Sequence, residues 1–167
     1  MSQPLSPAIE ARRAQAFPIL APDEIARMHR FGRLRRFADG ARVVETGKVS
    51  PGIYVVLSGK IRITGRDGHG HDLDVVEHVP GSFSGEVSQL SRKPSFVDGV
   101  AVGETETLEI DAEQLHALLV AEAVLGEKMM RAMILRRVAR RSLLPQDDCS
   151  SSDEYSASLR QAIELCF

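Results

Sequence analysis

The apolar residues of this chain change their period near residue 34, and the change separates helix-forming from strand-forming sequence. Ahead of it, Phe17, Pro18, Ile19 and Leu20 form a short apolar anchor. Pro22, Asp23 and Glu24 follow with the chemistry of a helix start, proline fitting the first turn and acids suiting the positive end. The spacing predicts a helix to about Arg30 that buries Ile25 and Met28. Residues 1–16 show only weak helical character over 9–15 and read as a flexible lead-in.

Beyond Leu34 the alternation is that of strands. Residues 42–45 and 53–57 predict two of them. A turn is expected at Ser58 and Gly59, and 60–64 then alternate strictly. Residues 65–70 are turn-rich and predict a hairpin tip. Strands are expected again at 73–79, ended by Pro80 and Gly81, and at 97–102 and 107–110. Short strands at regular spacing with glycine turns predict a barrel or roll.

Helical periodicity returns at Asp111, a candidate N-cap with Gln114 at the capping-box position. Leu115, Leu118 and Leu119 mark the buried face of this helix. A second helix is predicted over 123–142. Leu125, Met129 and Met133 make one apolar row, and Met130, Ile134 and Val138 repeat it one step round. That stripe is broader than one side of a small roll needs, so part of it is expected to face a partner, a second copy of the chain. Pro145 and the polar residues 146–153 predict a linker, with one more short helix over 156–167. The chain thus divides into a lead-in (1–16), one domain (17–142) and an acidic tail (143–167).

Composition narrows the function. The 167 residues are 43% hydrophobic and 26% charged, enough for a packed core. No apolar run is long enough to span a membrane. The first residues lack a secretory h-region, which predicts a cytoplasmic location. The net charge of −2 hides a partition: residues 37–123 hold 14 acids against 7 bases, while 124–141 hold 6 bases and 1 acid. An acidic centre is a poor surface for nucleic acid. Cys149 and Cys166 match neither a zinc spacing nor a disulfide framework and read as free thiols.

The most informative stretch is 81–87, Gly-Ser-Phe-Ser-Gly-Glu-Val, where two glycines and a phenylalanine lead into one carboxylate. Glycine at 85 lets backbone approach a ligand closely, and the start of a following helix would favour an anion. Together with the strand and turn at 53–59 and the exit at 108–111, this stretch resembles the cyclic nucleotide-binding domain family over residues 17–141. The resemblance implies a mainly β fold, a jelly-roll-like β-roll with an N-terminal helix and two C-terminal helices. It implies a phosphate-binding cassette over 81–97, with Phe83, Ser84, Gly85, Glu86 and Val87 at its start and Glu86 receiving a ribose hydroxyl. It also implies an arginine about ten positions after the glutamate. Counting back from Leu108, Glu109 and Ile110 puts that position at Ser95, with Phe96 next, and neither carries charge. A charge-assisted hydrogen bond contributes about 1.5–3 kcal/mol, so cyclic AMP or cyclic GMP is expected to bind weakly unless Arg92 or Lys93 reaches in.

A finer resemblance joins 85–91 and 129–137 to a subgroup in which this domain precedes a thioredoxin-reductase-like flavoprotein. It implies such a partner, although this chain has no GxGxxG motif of its own. Three other chemistries were weighed. His69 and His71 with Glu77 loosely match a cupin metal set, but the spacing is one residue too long and His69 sits in a glycine-rich tip, so no metal is expected. Arg136, Arg137, Arg140 and Arg141 read as solvated cations at a helix C-terminus rather than a DNA contact. Glu86 has no partner base in the sequence, so no catalytic residue and no cofactor are expected. The prediction is a regulatory module that senses a small anionic ligand and signals through its last helix, with a ligand-free docking or dimerisation module as the alternative.

Overall fold

The computed structural model describes residues 7–66, 72–85, 92–95 and 97–141. Two helices, α1 (Pro7–Ala16) and α2 (Pro22–Met28), and a 3-10 turn (His29–Phe31) lead into the strands. These are β1 (Arg33–Phe37), β2 (Arg42–Val44), β3 (Ile53–Arg66), β4 (Asp72–His78), β5 (Phe83–Ser84) and β6 (Asp98–Ile110). Helices α3 (Ala112–Ala121) and α4 (Ala123–Arg141) follow. Among the described residues, no helix is long and apolar enough to cross a membrane.

The sheet is antiparallel throughout, in the order β1-β6-β3-β4, with β2 also beside β6 and β5 also beside β3. Its frame is the long β3–β6 ribbon. One half of the ribbon carries β1 on β6 and β5 on β3; the other half carries β2 on β6 and β4 on β3. Mostly antiparallel sheet with flanking helices is the β-roll expected from the sequence.

Between the halves the ribbon breaks register. Val56 faces Thr107 while Ser58 faces Glu106, so β3 uses two residues where β6 uses one. The extra residue reverses which face each later side chain takes. Tyr54 and Val56 therefore share one core with Ile61 and Ile63, although the first pair is even-numbered and the second odd. The expected turn at Ser58 and Gly59 is a second bulge directly after it, where β3 runs from Ser58 to Lys60 against Glu106 to Val102 of β6. The two strands foreseen at 97–102 and 107–110 are likewise the two halves of β6. Gly59 is read locally as a reversal, but its neighbour across the ribbon makes it a bend.

Alternation along the ribbon builds two cores. Val43, Val44, Tyr54, Val56, Ile61, Ile63 and Ala101 fill the inside of the roll. Ile53, Val55, Leu108 and Ile110 point the other way, against Met28, Leu115, Leu118 and the α4 residues Leu125, Met129, Ala132 and Met133. Met28, Leu115 and Leu118 are buried as the helical spacing predicted, and Ile25 and Leu119 pack against the same cluster. The Asp111 carboxylate accepts the Gln114 N–H at 2.9 Å, completing the foreseen cap.

The N-terminus differs from expectation. Residues 7–16 are helical, and Ala16 is buried. What orders this segment is long-range contact with α4, which local sequence does not display. Glu24 ties α2 to α4 as well. Its carboxylate accepts from Lys128 Nζ at 2.8 Å and from Ala21 N at 2.7 Å. Burial pushes that carboxyl up, but the ammonium and the amide outweigh it and hold it below the ordinary range. The tail at 142–167, with both cysteines, lies outside the described residues.

The bulge gives a discriminating test. Gly59 and Gly103 both sit at φ +72°, but a Cβ on Gly59 would lie 2.4 Å from the Glu104 carbonyl oxygen, while one on Gly103 meets nothing within 4 Å. Gly103→Ala should cost only the left-handed strain, about 1 kcal/mol. Gly59→Ala should cost about 3 kcal/mol by adding a backbone clash. Urea unfolding of both variants decides; equal losses would remove the bulge from its framing role.

Candidate functional site

The cradle begins at a turn built by its own sequence. Val79, Pro80, Gly81 and Ser82 close with Ser82 N–H donating to Val79 O at 2.9 Å, and Gly81 has φ +89°. Proline in second place and a left-handed glycine in third is the pattern of a type II turn. Gly81 also has no room for a side chain, since a Cβ would lie 2.7 Å from Ile19 Cγ2. Through that contact and the Leu20 N–H to Gly81 O bond (2.9 Å), the N-terminal anchor rests on the turn.

From the turn the chain enters β5 against β3, Phe83 opposite Val55 and Ser84 opposite Tyr54. Phe83 is fully buried and belongs to the core shared with α4. Ser84 is buried too, in register with Tyr54 of the roll interior. Gly85 follows at φ +92°, and a Cβ there would lie 2.8 Å from Gly52 O and 3.3 Å from Ser50 Oγ. The Ser50 hydroxyl donates to Gly52 O at 2.6 Å and holds that loop in place. Gly85 is thus left-handed and closely backed by the chain's own loop, a conformation that favours glycine. Glu86, Val87 and Phe96 lie outside the described residues, as do His69 and His71.

Ser95 lies against the segment between β2 and β3. It bridges Thr46 in parallel; its N–H donates to Lys48 O and its carbonyl accepts from Gly47 N–H, both at 2.8 Å. Its hydroxyl donates to Val97 O at 2.8 Å and accepts from Val97 N–H at 3.2 Å. The side chain at the expected arginine position is therefore turned onto its own backbone. Arg92, at φ +51°, and Lys93 are exposed on the segment leading to it. Glu77 pairs with Lys60 at 2.6 Å, and that hydrogen bond holds its carboxyl below the ordinary range.

Beneath β5 lies a buried polar pair that periodicity did not single out. Tyr54 and Glu109 face each other across β3 and β6 and are 3% and 2% exposed. Arg33 Nε donates to Glu109 Oε1 at 2.8 Å, a second Arg33 N–H reaches the same oxygen, and Arg35 Nη1 lies 3.3 Å from Oε2. Two arginines of β1 thus neutralise a carboxylate inside the roll. Burial, reinforced by the charge and hydrogen bond of Glu109, pushes the Tyr54 phenol up to about 12.

Arg136 was also missed, since the basic run around it reads as solvated. It is 6% exposed. Its Nε donates to Ala16 O at 2.6 Å and its Nη1 to Phe83 O at 3.0 Å. Its guanidinium lies 4.5 Å from the Phe17 ring and 4.4 Å from the Phe83 ring. The one available signal was position: Arg136 falls in the row of Leu125, Met129 and Met133, three residues past the last. The side chains of Arg137, Arg140 and Arg141 lie outside the described residues.

Comparison with known proteins agrees with this architecture. The cyclic nucleotide-binding domain model matches residues 34–122. The cyclic AMP receptor protein of Thermus thermophilus is 27% identical over 124 residues, 74% of this chain and 57% of the receptor. A CRP-like cAMP-activated global transcriptional regulator of Mycobacterium tuberculosis is 23% identical over 153 residues, 92% of this chain and 67% of its own. The crystal structure of the Thermus thermophilus catabolite activator protein superposes with a TM-score of 0.65 at 26% identity, covering 77% of this chain and 60% of that one. The chain therefore spans somewhat more than half the length of the Thermus relative.

Tyr54 supplies a test by pH. An unfolded tyrosine ionises near 10, whereas Tyr54 resists to about 12. Its contribution is fully present below pH 10 and is lost as pH rises towards 12. Wild-type protein should lose up to about 2 kcal/mol over that window relative to Tyr54→Phe. Parallel pH curves for the two proteins would refute the buried pair.

Proposed function

The chain belongs to the cyclic nucleotide-binding domain family, and on that footing we propose that it is a non-catalytic, cytoplasmic regulatory module that senses a small anionic ligand. The ligand, a weakly held cyclic nucleotide or a chemical relative, sits against Phe83, Ser84, Gly85, Glu86 and Val87 on one rim and Ser95 and Phe96 on the other. The observation that carries this reading is the position of Phe83. Its ring is fully buried in one core with Leu125, Met129, Ala132 and Met133 of α4. A ligand that shifts the cradle strand therefore changes the packing of the last helix, which carries the signal. Such a shift needs different affinity in the two helix positions.

Weak binding follows from Ser95. Its hydroxyl is engaged with Val97, so the anion must rely on backbone dipoles and on whatever Arg92 or Lys93 adds from outside. Calorimetric titration with cyclic AMP and cyclic GMP should give small but measurable heat. Ser95→Arg should tighten binding by about 10-fold or more. Glu86→Ala should weaken it further at an unchanged melting temperature. Heat in Ser95→Arg no tighter than in wild type would show that the rims are wrongly assigned.

The second reading is a ligand-free docking or dimerisation module, for which a thioredoxin-reductase-like protein is the candidate partner. The exposed apolar positions of α4 favour it: Met130 is 37% and Ile134 55% exposed, and both lie in the outer row of the helix. We place a homodimer interface on this row in either reading. Ile134→Glu should convert a sedimenting dimer to monomer while leaving the melting curve of the roll in place. A wild-type monomer at high micromolar concentration would dismiss the interface. Absence of heat at millimolar nucleotide, in wild type and Ser95→Arg alike, would leave docking as the function.

A further inference from the structure

Arg136 does more than fill the core. Two segments distant in sequence from α4 and from each other meet on its guanidinium: the junction of α1 and the anchor, through the Ala16 carbonyl and the adjoining Phe17 ring, and the cradle, through both the ring and the carbonyl of Phe83. The contacts are directional. A planar fork that donates along two edges and stacks through its faces fixes the angle between its partners, which an aliphatic side chain cannot do. We propose that Arg136 is a clamp that couples the N-terminal helix α1 to the cradle strand β5, making α1 a regulatory element of the ligand site. The proposal rests on the sensing reading for its biological meaning, but its physical content is ligand-independent.

The Phe83 carbonyl that Arg136 holds belongs to the peptide joining Phe83 to Ser84, two residues before the left-handed Gly85 that closes against Gly52. A rotation of this peptide re-aims the start of the cradle. The same guanidinium holds the last carbonyl of α1, so α1 cannot leave α4 without changing the fork that orients this peptide. Coupling of this kind is reciprocal: what loosens α1 must loosen β5, and what closes the cradle must tighten α1. A second path works in the same direction, since Gly81 at the cradle entrance packs on Ile19 and accepts the Leu20 N–H. The N-terminal segment therefore touches the cradle at its entrance and, through Arg136, at its first strand. A cleft of about 160 Å³ lined by Phe17, Ile19, His78, Ser82 and Arg136 lies between these two contacts and leaves room for the segment to shift.

Hydrogen exchange on the full chain tests the clamp without any ligand. The informative variant is Phe17→Ala, which removes the ring that faces Arg136 from the N-terminal side and leaves β5 chemically intact. It should speed exchange of the α1 amides and also of the 83–85 amides by about 5-fold or more, the lower end of ordinary coupling between sites. Amides in the middle of β3 and β6 should keep wild-type rates. Arg136→Lys, which keeps the charge but loses the fork, should reproduce the effect on both segments, and adding Phe17→Ala to it should change 83–85 no further. If Phe17→Ala loosens α1 alone, or if the two variants act additively on 83–85, the clamp is refuted. Nucleotide titration of the wild type reports separately: silent calorimetry defeats the sensing reading and leaves the exchange result standing, whereas heat accompanied by unchanged α1 exchange defeats the coupling.

Discussion

The rest of the molecule depends on one irregular stretch of the β3–β6 ribbon, where β3 gains a residue between Val56 and Ser58 and then runs from Ser58 to Lys60 against Glu106 to Val102 of β6. Gly59 approaches the opposite strand so closely that only a hydrogen fits. The Thr105 hydroxyl fills the gap, accepting from Lys60 N–H at 3.3 Å and lying 3.1 Å from Lys60 O and 3.2 Å from Gly103 O, where it can donate. The Asp39 carboxylate accepts Gly103 N–H at 2.7 Å on the outside. These bonds satisfy backbone groups that the broken ladder would leave unpaired. A ribbon of this length would otherwise run as one twisted sheet with one buried face per strand. The offset bends it and corrects the parity of β3, so that both halves contribute to the inside of the roll.

That bend positions the cradle. The strand β5 is only two residues long and has little ladder of its own. It is held in place by what surrounds it: Val56, which accepts Gly81 N–H and donates to Ser82 O, and the Ser50–Gly52 loop behind Gly85. Gly52 is itself pressed against the Ile110 carbonyl, where a Cβ would lie 2.5 Å away. The exit of the roll into α3, the loop, and the start of the cradle are thus stacked backbone on backbone. Close stacking of main chain transmits displacement well, because it contains no flexible side chain to absorb it. The turn before β5 and the packing of α4 are joined through Phe83 and the short strand it begins.

Elements with local signals were legible in the sequence. Pro22 with two acids marked α2, Asp111 marked the start of α3, and Pro80 with Gly81 marked the turn that ends β4, while Gly85 holds the left-handed conformation its residue type suggested. The misreadings have a common cause. Gly59 looks like a turn because a glycine after a strand usually is one; only the partner strand distinguishes a bulge. Arg136 looks solvated because it sits in a basic run, and its burial depends on two carbonyls and two rings far away in sequence. Helix α1 looks loose because its own periodicity is weak and its order comes from α4. Local chemistry was readable, whereas features decided by a distant partner were not.

The absent arginine and the buried one bear on the same balance. A ligand stabilises the state it prefers by RT ln(1 + [L]/Kd), which is only about 0.4 kcal/mol when its concentration equals Kd. In the proposed sensing role, a domain relying on backbone dipoles at Ser95 for its anion would have little free energy with which to move a helix. For the proposed sensing to work, two positions of α4 would have to lie within about 1 kcal/mol of each other before the ligand arrives, or weak binding would produce no response. A purely apolar α4 packed on Phe83 would be hard to poise so closely, since each methylene withdrawn from the core costs about 0.8 kcal/mol. A guanidinium between two rings and two carbonyls is different. It carries a desolvation cost that offsets much of what its contacts contribute, so it orients the helix without locking it. The same balance explains how α1 could bias the site, since a contribution of a few tenths of a kcal/mol decides an equilibrium that is already near even.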